Sequence, residues 1–167
     1  MTPSGNAAGY FVDRHRSERP DKVAFREAAG AQRQLTYGDL AESSDRMAGA
    51  LRRAGIARES RAAMLVLDQI EFPQIFWGAL KAGVGPVPLN TLLSTSVYEV
   101  ILKDSRATIL FVSAELWPVV EPAVAACPDL QRVVVIGGET PEGCNSFKDF
   151  LAGAEPMEAV ACCPDET

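Results

Sequence analysis

The side chains able to do chemistry are few and scattered in this sequence of 167 residues. There is one histidine, His15, between Arg14 and Arg16, and four cysteines, Cys127, Cys144 and the adjacent Cys162 and Cys163. A zinc site needs paired ligands at short spacings such as C-x-x-C, and no such pair occurs. Free thiols in a reducing compartment are the simpler reading. A serine nucleophile would sit on a tight G-x-S-x-G turn, which is absent, and His15 lacks a partner to orient it. A solvated surface histidine is therefore expected, not a general base. Asp68, Glu71 and Glu99 would meet only at sheet ends, and helix caps and solvated faces account for all three without acid or base work.

The glycines test phosphate chemistry. None is followed by lysine, so the cradle G-x-x-x-x-G-K-[ST] is missing. Gly83-Val84-Gly85 comes nearest to a dinucleotide fingerprint, but Pro88 stands in place of the third glycine, and the pair precedes a strand instead of a helix. No catalytic, cofactor-binding or metal-ligating residue is assigned.

The elements that would position any site follow from hydrophobic period. Tyr10 to Arg16 reads as a short amphipathic helix ended before Pro20. Lys22 to Arg26 and Arg33 to Thr36 read as strands of a small hairpin turned at Ala28 to Ala31. Thr36 is an N-cap with Asp39 three residues on, and Tyr37, Leu40, Ala41, Met47, Ala48 and Leu51 make the apolar stripe of a strong helix stopped by Gly55. Alternating units follow: strand Ala62 to Leu67, helix Glu71 to Ala82, strand Val84 to Leu89, helix Val97 to Lys103 and strand Thr108 to Val112. Phe72, Phe76 and Leu80 fall at helical spacing and read as core. Consecutive apolar residues at Met64 to Leu67 and Ile109 to Val112 require cover on both faces, so a parallel sheet between helices is predicted. A bend is expected near Trp117 because Pro118 and Pro122 remove amide donors. Strand Gln131 to Ile136 and helix Ser146 to Leu151 close the pattern, and beyond Gly153 no period is visible.

Within this frame Lys81 suits a helix C-terminus, and Gly83 the left-handed cap after it. Pro86 and Pro88 mark the following strand as an edge or a strand end. Asn90 and Thr91 then emerge at a carboxyl end, where open parallel sheets place ligand clefts. Capping of the helix that begins near Ser94-Thr95-Ser96 and Glu99 is the alternative role for both.

Composition bounds the function. There are 22 Asp and Glu against 16 Lys and Arg, a formal charge of −6, with 47% hydrophobic residues. Nucleic acid and anionic membrane surfaces need clustered cations and are disfavoured. No apolar run approaches the roughly 20 residues of a membrane span. The first six residues lack the basic-then-apolar order of a signal peptide, so the cytoplasm is the expected location.

Two stretches go beyond generic patterning: Leu35-Thr36-Tyr37-Gly38-Asp39-Leu40, and Leu80-Lys81-Ala82-Gly83-Val84-Gly85-Pro86-Val87-Pro88-Leu89-Asn90. In order and spacing they resemble early signatures of the adenylate-forming superfamily, which includes acyl-CoA and aryl-CoA synthetases, peptide-synthetase adenylation domains and luciferases. Tyr10 to His15, Glu71-Phe72-Pro73, Asn90 to Leu93 and Leu102 to Ala107 look most similar to benzoate–CoA ligases and their hydroxybenzoate relatives. The resemblance spans nearly the whole chain. It implies part of the large α/β N-terminal domain of a longer enzyme, with residues 1–153 as one domain and 154–167 as a linker or tail leading toward a phosphate loop. It further implies an ATP-, Mg- and CoA-dependent ligase acting on an aromatic carboxylate, with Asn90 and Thr91 on its CoA side. The chain alone, lacking the phosphate loop, the acidic ATP-ribose and Mg residues and the adenylation lysine, would be inert and would pair with the remainder of its own polypeptide. A noncatalytic α/β binding module, and part of an amino-acid or other acyl adenylation enzyme, stay open as alternatives.

Overall fold

The computed structural model describes residues 5–162. Cys163, residues 1–4 and the last five positions of the expected tail lie outside the described residues. The chain divides into two compact units. Of the described residues, one unit holds 5–58, Asp68–Val84 and 153–162, and the other holds Glu59–Leu67 and Gly85–Ala152.

The first unit is helical around a hairpin. A π-helical turn at Gly9–Asp13 runs directly into α1, Arg14–Glu18. Strands β1, Val23–Arg26, and β2, Gln34–Thr36, pair antiparallel as predicted, with Phe25 opposite Leu35. Helix α2, Tyr37–Arg53, starts in a complete capping box: the Asp39 amide donates to Thr36 Oγ1 at 3.1 Å, and the Thr36 amide donates to Asp39 Oδ2 at 3.0 Å. This satisfies two donors that a helix start otherwise leaves unpaired. The helix ends where Gly55 takes φ +79°, the left-handed turn expected of it. Helix α3, Glu71–Ala82, has the bounds its period predicts and stops at Gly83 with φ +74°. It lies so close to α2 that a Cβ at Gly78 would overlap the Met47 side chain. Val12, Leu35, Leu40 and Ala41 form the core of this unit, with Ile70 and Trp77 packed against it.

The second unit is a parallel sheet in the order β4-β3-β5-β6-β7. Its strands are β3, Arg61–Leu65; β4, Gly85–Pro88; β5, Ala107–Ser113; β6, Arg132–Ile136; and β7, Asn145–Ser146. All four neighbouring pairs are parallel. Helices α4, Thr95–Ser105, and α5, Trp117–Val124, cover one face, where Tyr98, Leu102, Val120 and Ala123 meet Leu65, Leu110, Val112 and Val135. Each leucine or valine among these contributes about 1.5–3 kcal/mol when taken fully out of water. On the opposite face Phe111 meets Phe150 of α6, Phe147–Leu151, edge to face at 5.7 Å. Helices thus flank both faces, and consecutive residues of β5 are buried as the apolar run requires. Near Trp117 a 3-10 turn, Ala114–Leu116, feeds α5, whose first turn accepts Pro118, while Pro122 lies inside the helix.

The prolines of β4 sit on the sheet edge, as their chemistry demands. Gly85 and Leu89 donate toward β3, to the carbonyls of Ser60 and Met64. The alternate positions, Pro86 and Pro88, therefore turn their missing N–H groups to the open side.

One expectation is corrected and another is extended. His15 is not a solvated surface residue: it is 7% exposed, its ring 4.6 Å from that of Tyr37 and its Nδ1 accepting from Arg19 Nε at 3.1 Å. The π-helical turn before it adds a residue to one turn and so shifts the faces of the helix that follows. Lys81 does more than complement a helix end. It is 0% exposed, and its Nζ lies 2.6 Å from Asp13 Oδ1 and 2.5 Å from Asp45 Oδ1.

Candidate functional site

Strand order fixes where a cleft belongs. From β3 the chain goes to β4 on one side, and later from β5 to β6 on the other. The carboxyl ends of β3 and β5 are thus the place where the connections diverge, the usual ligand crevice of an open α/β sheet. There the amide of Leu67 donates to Ser113 Oγ at 3.0 Å, and the Ser113 side chain is fully buried. Sequence reading missed this residue. Its signal was a single hydroxyl closing the apolar run Ile109-Leu110-Phe111-Val112.

Asn90 and Thr91 follow the carboxyl end of the neighbouring β4, as predicted. Asn90 Oδ1 accepts from the Leu92 amide at 2.9 Å, a local Asx turn that two-residue spacing allows. The Asn90 carbonyl accepts from the buried Tyr98 hydroxyl at 2.9 Å, and the same hydroxyl accepts from the Leu93 amide at 3.2 Å. Neither Asn90 nor Thr91 is the N-cap of α4. That position is Ser94, whose hydroxyl is 3.1 Å from the Ser96 hydroxyl. Leu92, at the tip of the loop, is 89% exposed.

The three carboxylates singled out have structural partners or stand apart. Glu99 pairs with Lys103 at 2.6 Å along α4. Glu71 pairs with Arg33 at 2.6 Å. Arg33 also donates to Glu27, whose carboxylate takes the Ile70 amide as well. The Arg33 guanidinium holds the Glu27 carboxyl below the usual carboxylate range, and the two acids raise Arg33 in turn. Asp68 lines a cavity of about 230 Å³ in the first unit with Phe25, Glu27, Ile70, Phe72 and Pro73. That is smaller than the roughly 300–1,000 Å³ of ordinary ligand pockets.

Nothing in this arrangement activates a nucleophile. Burial pushes the Cys127 and Cys144 thiols up, away from the reactive thiolate, and the Cys127 thiol donates to the Ala123 carbonyl at 3.1 Å. Cys127, Cys144 and Cys162 are all free. Among the described residues no group of three or more His, Cys, Asp and Glu side chains is placed to hold a metal ion. The carboxyl ends of β4 and β5 present the neutral Asn90, Thr91 and Ser113. These residues do not fit Mg²⁺ or the triphosphate of ATP, which need acidic ligands and cationic clamps respectively. No helix among the described residues is long and apolar enough to cross a membrane.

Known proteins are similar to this chain in sequence and fold. Residues 12–166 match the model of the AMP-binding enzyme family. The chain is 39% identical over 163 residues to a 4-hydroxybenzoate–CoA/benzoate–CoA ligase of Rhodopseudomonas palustris, covering 96% of this chain and 30% of that protein. It is 39% identical over 164 residues to a benzoate–CoA ligase of Thauera aromatica, again covering 96% of this chain and 30% of the relative. The crystal structure of a benzoate CoA ligase from Burkholderia xenovorans superposes with a TM-score of 0.81 at 32% identity, covering 96% of this chain and 31% of that one. The chain therefore spans about a third of the length of these relatives. With a family match over nearly all its residues, this chain belongs to the AMP-binding enzymes.

Proposed function

We propose that this chain is the N-terminal part of an ATP-dependent aryl-acid–CoA ligase of the cytoplasm. The observation that carries the reading is the 39% identity to two ligases named for benzoate, extending over 96% of the chain. In the first half-reaction a benzoate-like carboxylate attacks the α-phosphorus of ATP, giving the acyl-adenylate and pyrophosphate. In the second, the CoA thiol attacks the acyl carbon, AMP leaves, and the thiol proton passes to solvent.

On this reading the present residues are scaffold and cleft wall. Asn90 and Thr91 line the CoA side, on a loop held by Tyr98. The groups that stabilise charge on phosphate, and the Mg²⁺ ligands, fall to residues beyond this chain, so the chain alone is inert. Uncovered apolar side chains support a further covering segment: Tyr10 and Phe11 in the first unit, Leu92 and Val100 in the second.

The test is thioester formation by the full-length gene product with benzoate, hydroxybenzoates, an aminobenzoate, a fatty acid and a set of amino acids. Benzoyl- or hydroxybenzoyl-CoA formed with stoichiometric AMP is the expected result. Turnover of the fatty acid or of amino acids alone would overturn the aryl-acid reading.

A further inference from the structure

Residues 153–162 have no hydrophobic period and no regular secondary structure beyond the turn that opens them, yet they are seated along their length on the first unit. The Met157 amide donates to the Asp45 carbonyl at 3.0 Å, and the Val160 amide donates to the Lys81 carbonyl at 2.9 Å. Asn6 Nδ2 donates to the Val160 carbonyl at 3.1 Å and to the Leu80 carbonyl at 2.8 Å. Arg58 Nη2 donates to the Ala161 carbonyl at 3.1 Å. On α2, a Cβ at Gly49 would overlap the Glu155 carbonyl oxygen, so the segment passes where only glycine leaves room.

The two carbonyls that receive the segment's amides belong to residues whose side chains are joined to each other. Lys81 Nζ lies 2.5 Å from Asp45 Oδ1, 2.6 Å from Asp13 Oδ1 and 3.3 Å from the Ala41 carbonyl. Asp45 is also paired with Arg16. A fully buried ammonium persists only where its counter-charges and acceptors are fixed. The same fixation sets the separation of α2 and α3 at the level of the two docking carbonyls.

From this we infer that Asp45 and Lys81 are positioning residues for residues 153–162: their buried ion pair holds the two carbonyls in the register that the Met157 and Val160 amides require. The inference goes beyond the ligase reading and stands independently of it.

Residue-resolved amide exchange on the 167-residue chain tests it. The Met157 and Val160 amides are compared with the Ala48 amide inside α2, in the wild type and in Asp45→Asn, Lys81→Met and Gly49→Ala. Gly49→Ala is the control that lifts the segment sterically while favouring the α2 helix. The expected result is at least tenfold faster exchange at Met157 and Val160, relative to Ala48, in all three variants. Should Lys81→Met fail to fold, Asp45→Asn, which keeps the hydrogen-bonding shape, decides by the same ratio. An unchanged ratio in a folded charge variant, with Gly49→Ala showing the increase, overturns the inference.

Discussion

The hydroxyl of Tyr98 joins two points of the loop that follows β4, donating to the Asn90 carbonyl at 2.9 Å and accepting from the Leu93 amide at 3.2 Å. The ring, carried by α4, is 1% exposed and packs into the core between that helix and the sheet, so its hydroxyl ties the loop at the sheet edge to the interior. The side chain of Asn90 completes the same turn by holding the Leu92 amide.

Tyr98→Phe keeps the ring and removes only that atom. Two backbone groups lose their partner, at a cost of about 1–3 kcal/mol where water does not replace it. The unfolding midpoint in urea should fall accordingly, and the Leu93 amide should exchange faster. If the full-length protein is the proposed ligase, with this loop on its CoA side, its KM for CoA should rise while the adenylation half-reaction keeps its rate.

Ser113→Ala should cost about 1–3 kcal/mol, because the Leu67 amide is left without its acceptor at a buried strand end. Ser94→Ala is the contrasting case: its exposed hydroxyl caps nothing in α4, and a change within about 0.5 kcal/mol is expected. Urea unfolding of the two variants side by side checks the difference.

Thr36→Ala should cost about 1 kcal/mol at neutral pH by dissolving the capping box of α2. The Thr36 hydroxyl and amide hold the Asp39 carboxyl below its ordinary value. A carboxyl depressed on folding adds stability above its unfolded value, about 3.9, and that stability is lost as pH falls through the lower folded value. The gap in Tm between wild type and Thr36→Ala should therefore narrow from about pH 7 to about pH 3. The Glu27 carboxyl, held down first by Arg33, titrates with the same sign, so acid should also loosen the hairpin from the start of α3.

Lys81→Ala should destabilise strongly, by about 3–5 kcal/mol, since it opens a cavity and takes the buried cation away from Asp13 and from Asp45, which keeps only Arg16. The double substitution Asp13→Asn with Lys81→Met should recover part of that loss. Thermal unfolding followed by circular dichroism separates the two.

What the sequence makes legible is local. The bounds of α3 follow from a clean 3.6 period ended by Gly83, and the edge position of β4 follows from Pro86 and Pro88 alone. The placement of Asn90 and Thr91 beyond a carboxyl end is legible for the same reason. Contacts between residues far apart are not. The partners of Lys81 lie 36 and 68 positions away, and Ser113 meets Leu67 across 46. Residues 153–162 carry no period because backbone hydrogen bonds, and not an apolar face, hold them. His15 misleads because a π-helical turn, which no composition rule announces, precedes it.

On the proposed reading this chain supplies the scaffold, and not the chemistry, of an aryl-acid ligase. The decisive measurement is ATP–pyrophosphate exchange with benzoate, hydroxybenzoates and an aminobenzoate, made in parallel on the 167-residue chain and on the full-length gene product. Exchange by the full-length protein, and none above blank by the chain alone, is the expected result. Exchange by the chain alone, or its absence from the full-length protein with every aromatic acid, would contradict it.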